Sequence, residues 1–143
     1  LFNTRQILTS EVPNPQNKNT KDATTYLDRG FERLEKGDYQ GAIEDFNQFL
    51  KIKPNNAYVY VGRGLARFSL EQYQAAKTDF DKALEITPDV AYAHFFRGLT
   101  NYMLKDKEGA IADLEIAAEL FKKEGNQEFA KKANSAIQKI QES

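Results

Sequence analysis

The sequence contains no cysteine. That excludes a disulfide framework, a thiolate metal site and a cysteine nucleophile, and it fits either redox compartment. It contains one histidine, His94. A metal site of the usual kind has no second histidine to complete it. Net charge is also lacking: 20 Lys and Arg stand against 21 Asp and Glu. The balance gives no electrostatic reason to bind nucleic acid or an anionic membrane surface. No long apolar run is present, so direct membrane insertion is not expected. No Gly-rich loop follows a strand to cradle a phosphate. With no convergent catalytic cluster, the chain is expected not to be an enzyme and to need no cofactor or metal.

What is present is a period. Gly30, Gly64 and Gly98 lie 34 residues apart, and so do Ala42, Ala76 and Ala110. Arg29, Arg63 and Arg97 keep this spacing, as do Asp45, Asp79 and Asp113. Phe46, Phe80 and Leu114 follow, then Ile52, Ile86 and Leu120. A fixed period of this length marks stacked supersecondary units. Each unit shows two stretches of helical periodicity. They span Ala23 to Lys36 with Tyr39 to Ile52, Ala57 to Leu70 with Tyr73 to Ile86, and Ala91 to Leu104 with Lys107 to about Lys123. Gly37 can end a helix in the left-handed conformation. Pro54 and Pro88 stop the second helices of the first two units. The recurrent Gly and Ala let paired backbones approach, so that Tyr26, Phe46 and their equivalents fill the space around them.

On these residues the sequence resembles a tetratricopeptide repeat (TPR) protein with three repeats. The matching positions are an aromatic at repeat position four (Tyr26, Tyr60), Gly at eight, Ala at twenty and Phe or Leu at twenty-four. Ala at twenty-seven (Ala83, Ala117) and Pro at thirty-two (Pro54, Pro88) complete the pattern. Phe49, Lys122 and His94 depart from it and point to adjusted packing at the ends of the array. The resemblance implies an all-α, right-handed α-solenoid of three helix-turn-helix hairpins. The expected units are 23–56, 57–90 and 91–124, with a tail and linker over 1–22 and a C-terminal capping helix over 125–143. Without a proline at 122, the last repeat helix should run on and stop at Gly125. Beyond it, Phe129, Ala130, Ala133, Ala136, Ile137 and Ile140 share one helical face. That face suits a cap; a second binding helix is the alternative.

In the resembled fold the first helix of each hairpin lines a concave face. Transferred position by position, its trough holds Leu27 and Phe31, then Tyr58, Val61, Leu65 and Phe68, then Tyr92, Phe95, Leu99 and Tyr102. An apolar strip of this kind implies a protein or peptide partner with an apolar or amphipathic segment. One TPR subclass grips acidic chaperone tails with a clamp of Lys, Asn and Arg. Leu27, Phe31, Tyr92 and Phe96 occupy four of the clamp positions here, so that clamp is absent. The expected function is therefore a non-catalytic interaction module or scaffold. The alternative is a self-assembling subunit whose trough is filled by its own N-terminal tail or by another copy, a homo-oligomer built through the tail.

The Arg and Asp of each unit lie 16 residues apart. They read either as ion pairs tying the two helices of a hairpin together or as an arginine row that binds an acidic peptide. His94 stands where Tyr26 and Tyr60 stand, and reads as a half-buried packing residue. In the tail, "EVPNPQNKNTK" reads as a linker. "LFNTRQIL" carries Leu1, Phe2, Ile7 and Leu8, and is expected to fold back on its own solenoid or to dock on a neighbour. The sequence starts at Leu1 rather than Met, as expected of a processed or excised chain, with any export signal or anchor upstream. The compartment is not legible.

Overall fold

The computed structural model describes the backbone of residues 15–143 and the side chains from residue 22 onward. Among the described residues there are seven helices and no strand. They are α1 (Pro15–Glu35), α2 (Tyr39–Ile52), α3 (Ala57–Ser69), α4 (Tyr73–Ile86), α5 (Ala91–Met103), α6 (Lys107–Lys123) and α7 (Gln127–Glu142). Each packs chiefly against its neighbours in the chain, and the first helices of successive hairpins also touch, α1 with α3 and α3 with α5. This is an all-α helical repeat solenoid.

The linker expectation needs correction at one end. The helix expected to start at Ala23 starts at Pro15, eight residues earlier. Proline is well placed in a first helical turn, because the N–H it lacks would be unpaired there in any case. The "LFNTRQIL" segment and its expected docking lie outside the described residues.

Turn chemistry sets the boundaries. Asp38, Asn56, Asp106 and Asn126 each accept a hydrogen bond from the backbone N–H three residues on, capping α2, α3, α6 and α7. Gly37 ends the first hairpin's opening helix at φ 83°, and Gly125 follows α6 at φ 79°. The positions one period after Gly37 hold Glu71 at φ 60° and then Lys105 at φ 69°, both in the left-handed region. A side chain there costs about 1–2 kcal/mol relative to the right-handed region.

Each hairpin buries one large side chain against a glycine. A Cβ on Gly30 would stand 2.6 Å from the Phe46 ring, and one on Gly64 would stand 2.6 Å from Phe80. Gly98 faces Leu114 in the same way. Phe46, Phe80 and Leu114 are fully buried, as are Ala42, Ala76 and Ala110. Phe49, where the repeat pattern has Ala, is buried in the first cluster. At the other end α7 lays Ala133 and Ile140 into the third cluster, with Phe129, Ala130, Ala136 and Ile137 packed against it.

Candidate functional site

The three Arg–Asp pairs are contacts. Arg29 reaches Asp45 at 2.8 Å, Arg63 reaches Asp79 at 2.7 Å, and Arg97 reaches Asp113 at 2.7 Å. The carboxylates are buried and the guanidinium groups lie over them from the helix before. The hydrogen bonds Arg29 donates to Asp45, followed by that carboxylate's charge, raise the pKa of Arg29. The arginines are therefore engaged by carboxylates of the chain itself, which argues against the acidic-peptide reading of the row.

Two features of this ladder escaped the sequence reading. Arg33 and Arg67, one helical turn after the first arginines, add a second cation to Asp45 and to Asp79 at 3.1 and 2.9 Å. The third arginine position in that series is Asn101, which donates to Asp113 but leaves its own buried Oδ1 without a partner. His94 takes up the vacated side of Asp113, with Nδ1 3.2 Å from the carboxylate and Nε2 2.8 Å from the Pro88 carbonyl. His94 is thus buried and doubly engaged, not half-buried packing. Burial alone would raise the pKa of Asp113. The hydrogen-bond contacts with His94 and Arg97, together with the Arg97 charge, outweigh it and hold the carboxyl below its ordinary range.

The arginines also reach backwards. Arg63 Nη1 donates to Asn47 of the preceding hairpin at 2.8 Å, and Arg97 Nη1 donates to Asp81 at 2.9 Å. A hollow of about 540 Å³ beside Arg63 and Arg67 is lined by Glu44, Asn47, Gln48 and Lys51. Its arginines are already paired with Asp79. Among the described residues, no group of His, Asp and Glu is arranged to hold a metal ion, and no helix is long and apolar enough to cross a membrane.

The expected trough divides. Phe31, Tyr58, Val61, Leu65 and Tyr92 come together around a pocket of about 260 Å³ that presents only apolar surface. They reach it from α1, α3 and α5, the first helices of the three hairpins. Gly62 and Val90 complete the lining and were not anticipated. Gly62 is needed there because a Cβ would meet the rings of Phe46 and Phe31 at 2.9 and 3.0 Å. Its signal was a glycine outside the period, two residues before Gly64. Tyr58 projects into solvent, 64% exposed, and Tyr92 is exposed beside it.

The other expected residues lie elsewhere. Phe95 is buried, edge-on to Phe96, Phe121 and Phe129. It is core, because α7 brings Phe129 onto the face that the trough was expected to leave open. Leu99 packs on the same third cluster. Leu27 packs on the first cluster, and Phe68 sits edge-on to Tyr73. Tyr102 lines a separate hollow with Met103, Lys105 and Lys107.

The TPR repeat pattern matches residues 30–70, and a tetratricopeptide repeat pattern matches residues 61–124. No curated protein matches the chain. Among solved structures, the TPR2B domain of yeast Sti1 in its pHsp70 complex is 22% identical with a TM-score of 0.79, over 85% of this chain and 97% of that one. The second TPR domain of human RPAP3, in complex with the HSP70 peptide SGPTIEEVD, is 25% identical with a TM-score of 0.75, over 86% and 98% of the two chains. PcrH in complex with the chaperone binding region of PopD is 18% identical with a TM-score of 0.78, over 82% and 90%.

Proposed function

Because the chain belongs to the tetratricopeptide repeat family, we propose that it is a non-catalytic protein-interaction module that takes an apolar or amphipathic peptide segment on the face made by α1, α3 and α5. The observation that carries this reading is the pocket lined by Phe31, Tyr58, Val61, Leu65 and Tyr92, with no charged side chain among its lining residues. Similar structures hold peptides or binding regions of partner proteins. The RPAP3 peptide is acidic. A peptide of that kind finds no cation in this pocket, and Arg29, Arg63 and Arg97 are engaged with their own carboxylates. Recognition here rests on burial. One large apolar side chain fully removed from water contributes about 1.5–3 kcal/mol. Binding of this kind persists at high salt, because screening weakens exposed ion pairs and leaves apolar contacts in place.

The test is a peptide-display selection against the intact chain, with affinities measured at low and high salt. The expected winners carry Leu, Ile, Phe or Val at helical or alternating spacing and bind equally well at both salt concentrations. Tyr58→Glu and Leu65→Glu should remove binding. The Tyr58 side chain is mostly in solvent, so that variant keeps its helicity. Acidic winners that release in salt, or binding unchanged by Tyr58→Glu, would refute the site.

A further inference from the structure

Resting on that reading of the pocket, we infer that residues 1–14 regulate it from within the same chain, with Ile7 and Leu8 as the occupants that a partner must displace. The described chain begins at Pro15, the first residue of α1. Pro15 and Phe31, a pocket-lining residue, are 16 positions apart on that helix. At about 1.5 Å of rise per residue this separation is about 24 Å. Leu8 precedes Pro15 by 7 positions in the sequence. Extended chain covers about 3.3–3.6 Å per residue, or about 24 Å over that stretch. Fully extended and turned straight back along α1, the tail reaches just level with Phe31 at Leu8, and Ile7 has one residue more of reach. The flanking Gln6 and Thr9 are polar, so the tail offers a short apolar pair at that reach. The pocket, at about 260 Å³, is of a size to take such a pair. Its lining offers no charge for a charged occupant. A tethered segment acts at a local concentration in the millimolar range, so a weak fit is enough to keep the pocket closed.

The experiment uses the full chain. Because the sequence has no cysteine, Thr4→Cys gives a single attachment point for a spin label. The expected result is paramagnetic broadening of the Val61, Leu65 and Val90 methyl signals, with Ile116 on α6 unaffected. Ile7→Glu/Leu8→Glu should abolish the broadening. A mixture of spin-labelled chain with isotope-labelled chain carrying no spin label should show none, and broadening in the mixture would overturn the in-chain assignment in favour of a second copy. The second readout is the affinity of one apolar peptide taken from the display selection. A pocket occupied nine-tenths of the time weakens apparent binding about tenfold. Ile7→Glu/Leu8→Glu should therefore tighten it by about that factor. Equal affinity for wild type and variant would sink the tail proposal while the pocket reading stands. Binding to neither protein would sink both.

Discussion

Replacing Asp79 by Ala should be among the most destabilising single changes in the chain, and more so than the equivalent change at Asp45. Asp79 is 1% exposed and accepts from Arg63 Nε and Nη2 and from Arg67 Nη1, at 2.7–3.2 Å. The Arg63 and Arg67 side chains are only 18% and 22% exposed. Removing the carboxylate leaves two guanidinium groups side by side, largely cut off from water and with no anion between them. Stranding a buried charge in this way costs about 3–5 kcal/mol. At Asp45 the partners Arg29 and Arg33 are 47% and 36% exposed. Water can take over their hydrogen bonds, and the loss should be about 1–3 kcal/mol. Urea unfolding followed by far-ultraviolet circular dichroism measures both. Asp79→Asn, which keeps the shape and removes the charge, should fall on the same side as Asp79→Ala. Equal losses at the two sites, or a larger loss at Asp45, would refute the argument that partner exposure sets the cost.

Glu71→Gly and Lys105→Gly should each stabilise the chain by about 1 kcal/mol, seen as a higher thermal midpoint, because both residues hold a left-handed conformation that glycine adopts freely. Gly37→Ala should lower the midpoint for the same reason. Asp113 supplies a pH dependence. Its carboxyl is held below its ordinary range when folded, so the unfolded chain binds the proton first. The stability it contributes is present above the unfolded value of about 3.9 and is lost as pH falls through the depressed folded value. Urea midpoints taken on the acid side should fall more steeply for the native chain than for Asp113→Asn. Truncation after Gly125 should uncover Phe95, Leu114 and Phe121, which the α7 face helps to cover. Aggregation or a large drop in midpoint is expected, and a monomeric, equally stable product would disprove the packing role of α7.

The helical hairpins were legible because the signals that set them are local and repeat. Pro54, Pro88 and Gly37 act within one turn of where they stand, and α2 and α4 begin and end where the periodicity places them. The Arg–Asp pairs were legible because a spacing of 16 recurs three times. The start of α1 was missed because its first eight residues are polar and carry no apolar rhythm, so nothing separates them from a linker. The site was only half legible. Position within a repeat told which residues face α1, α3 and α5, but not which of those faces a neighbour covers. Phe95 stands one period after Val61, yet it is closed over by Phe129 from a helix that is not part of the repeat. Arg33 and Arg67 carried a readable signal, since they recur at 34 and stand four residues after the first arginines. Asn101 broke that series, and His94 supplies the missing contact from another turn of α5.

The backward reach of Arg63 to Asn47 and of Arg97 to Asp81 spans the same 16 residues as the forward reach to Asp79 and Asp113. Each arginine is therefore addressed to two hairpins, its own and the one before, by a single distance along the chain. An array wired this way can be lengthened. A duplicate of residues 57–90 inserted after residue 90 would offer Asp81 to the duplicate's own arginine, and would present the duplicate's aspartate to Arg97. The junction with Arg97 would repeat the native one, and the other would set Asp81 where Arg63 now meets Asn47. The register of one hairpin on the next would also be copied along with the sequence, so a longer array should melt at a higher temperature, as expected when neighbouring units share their interface energy.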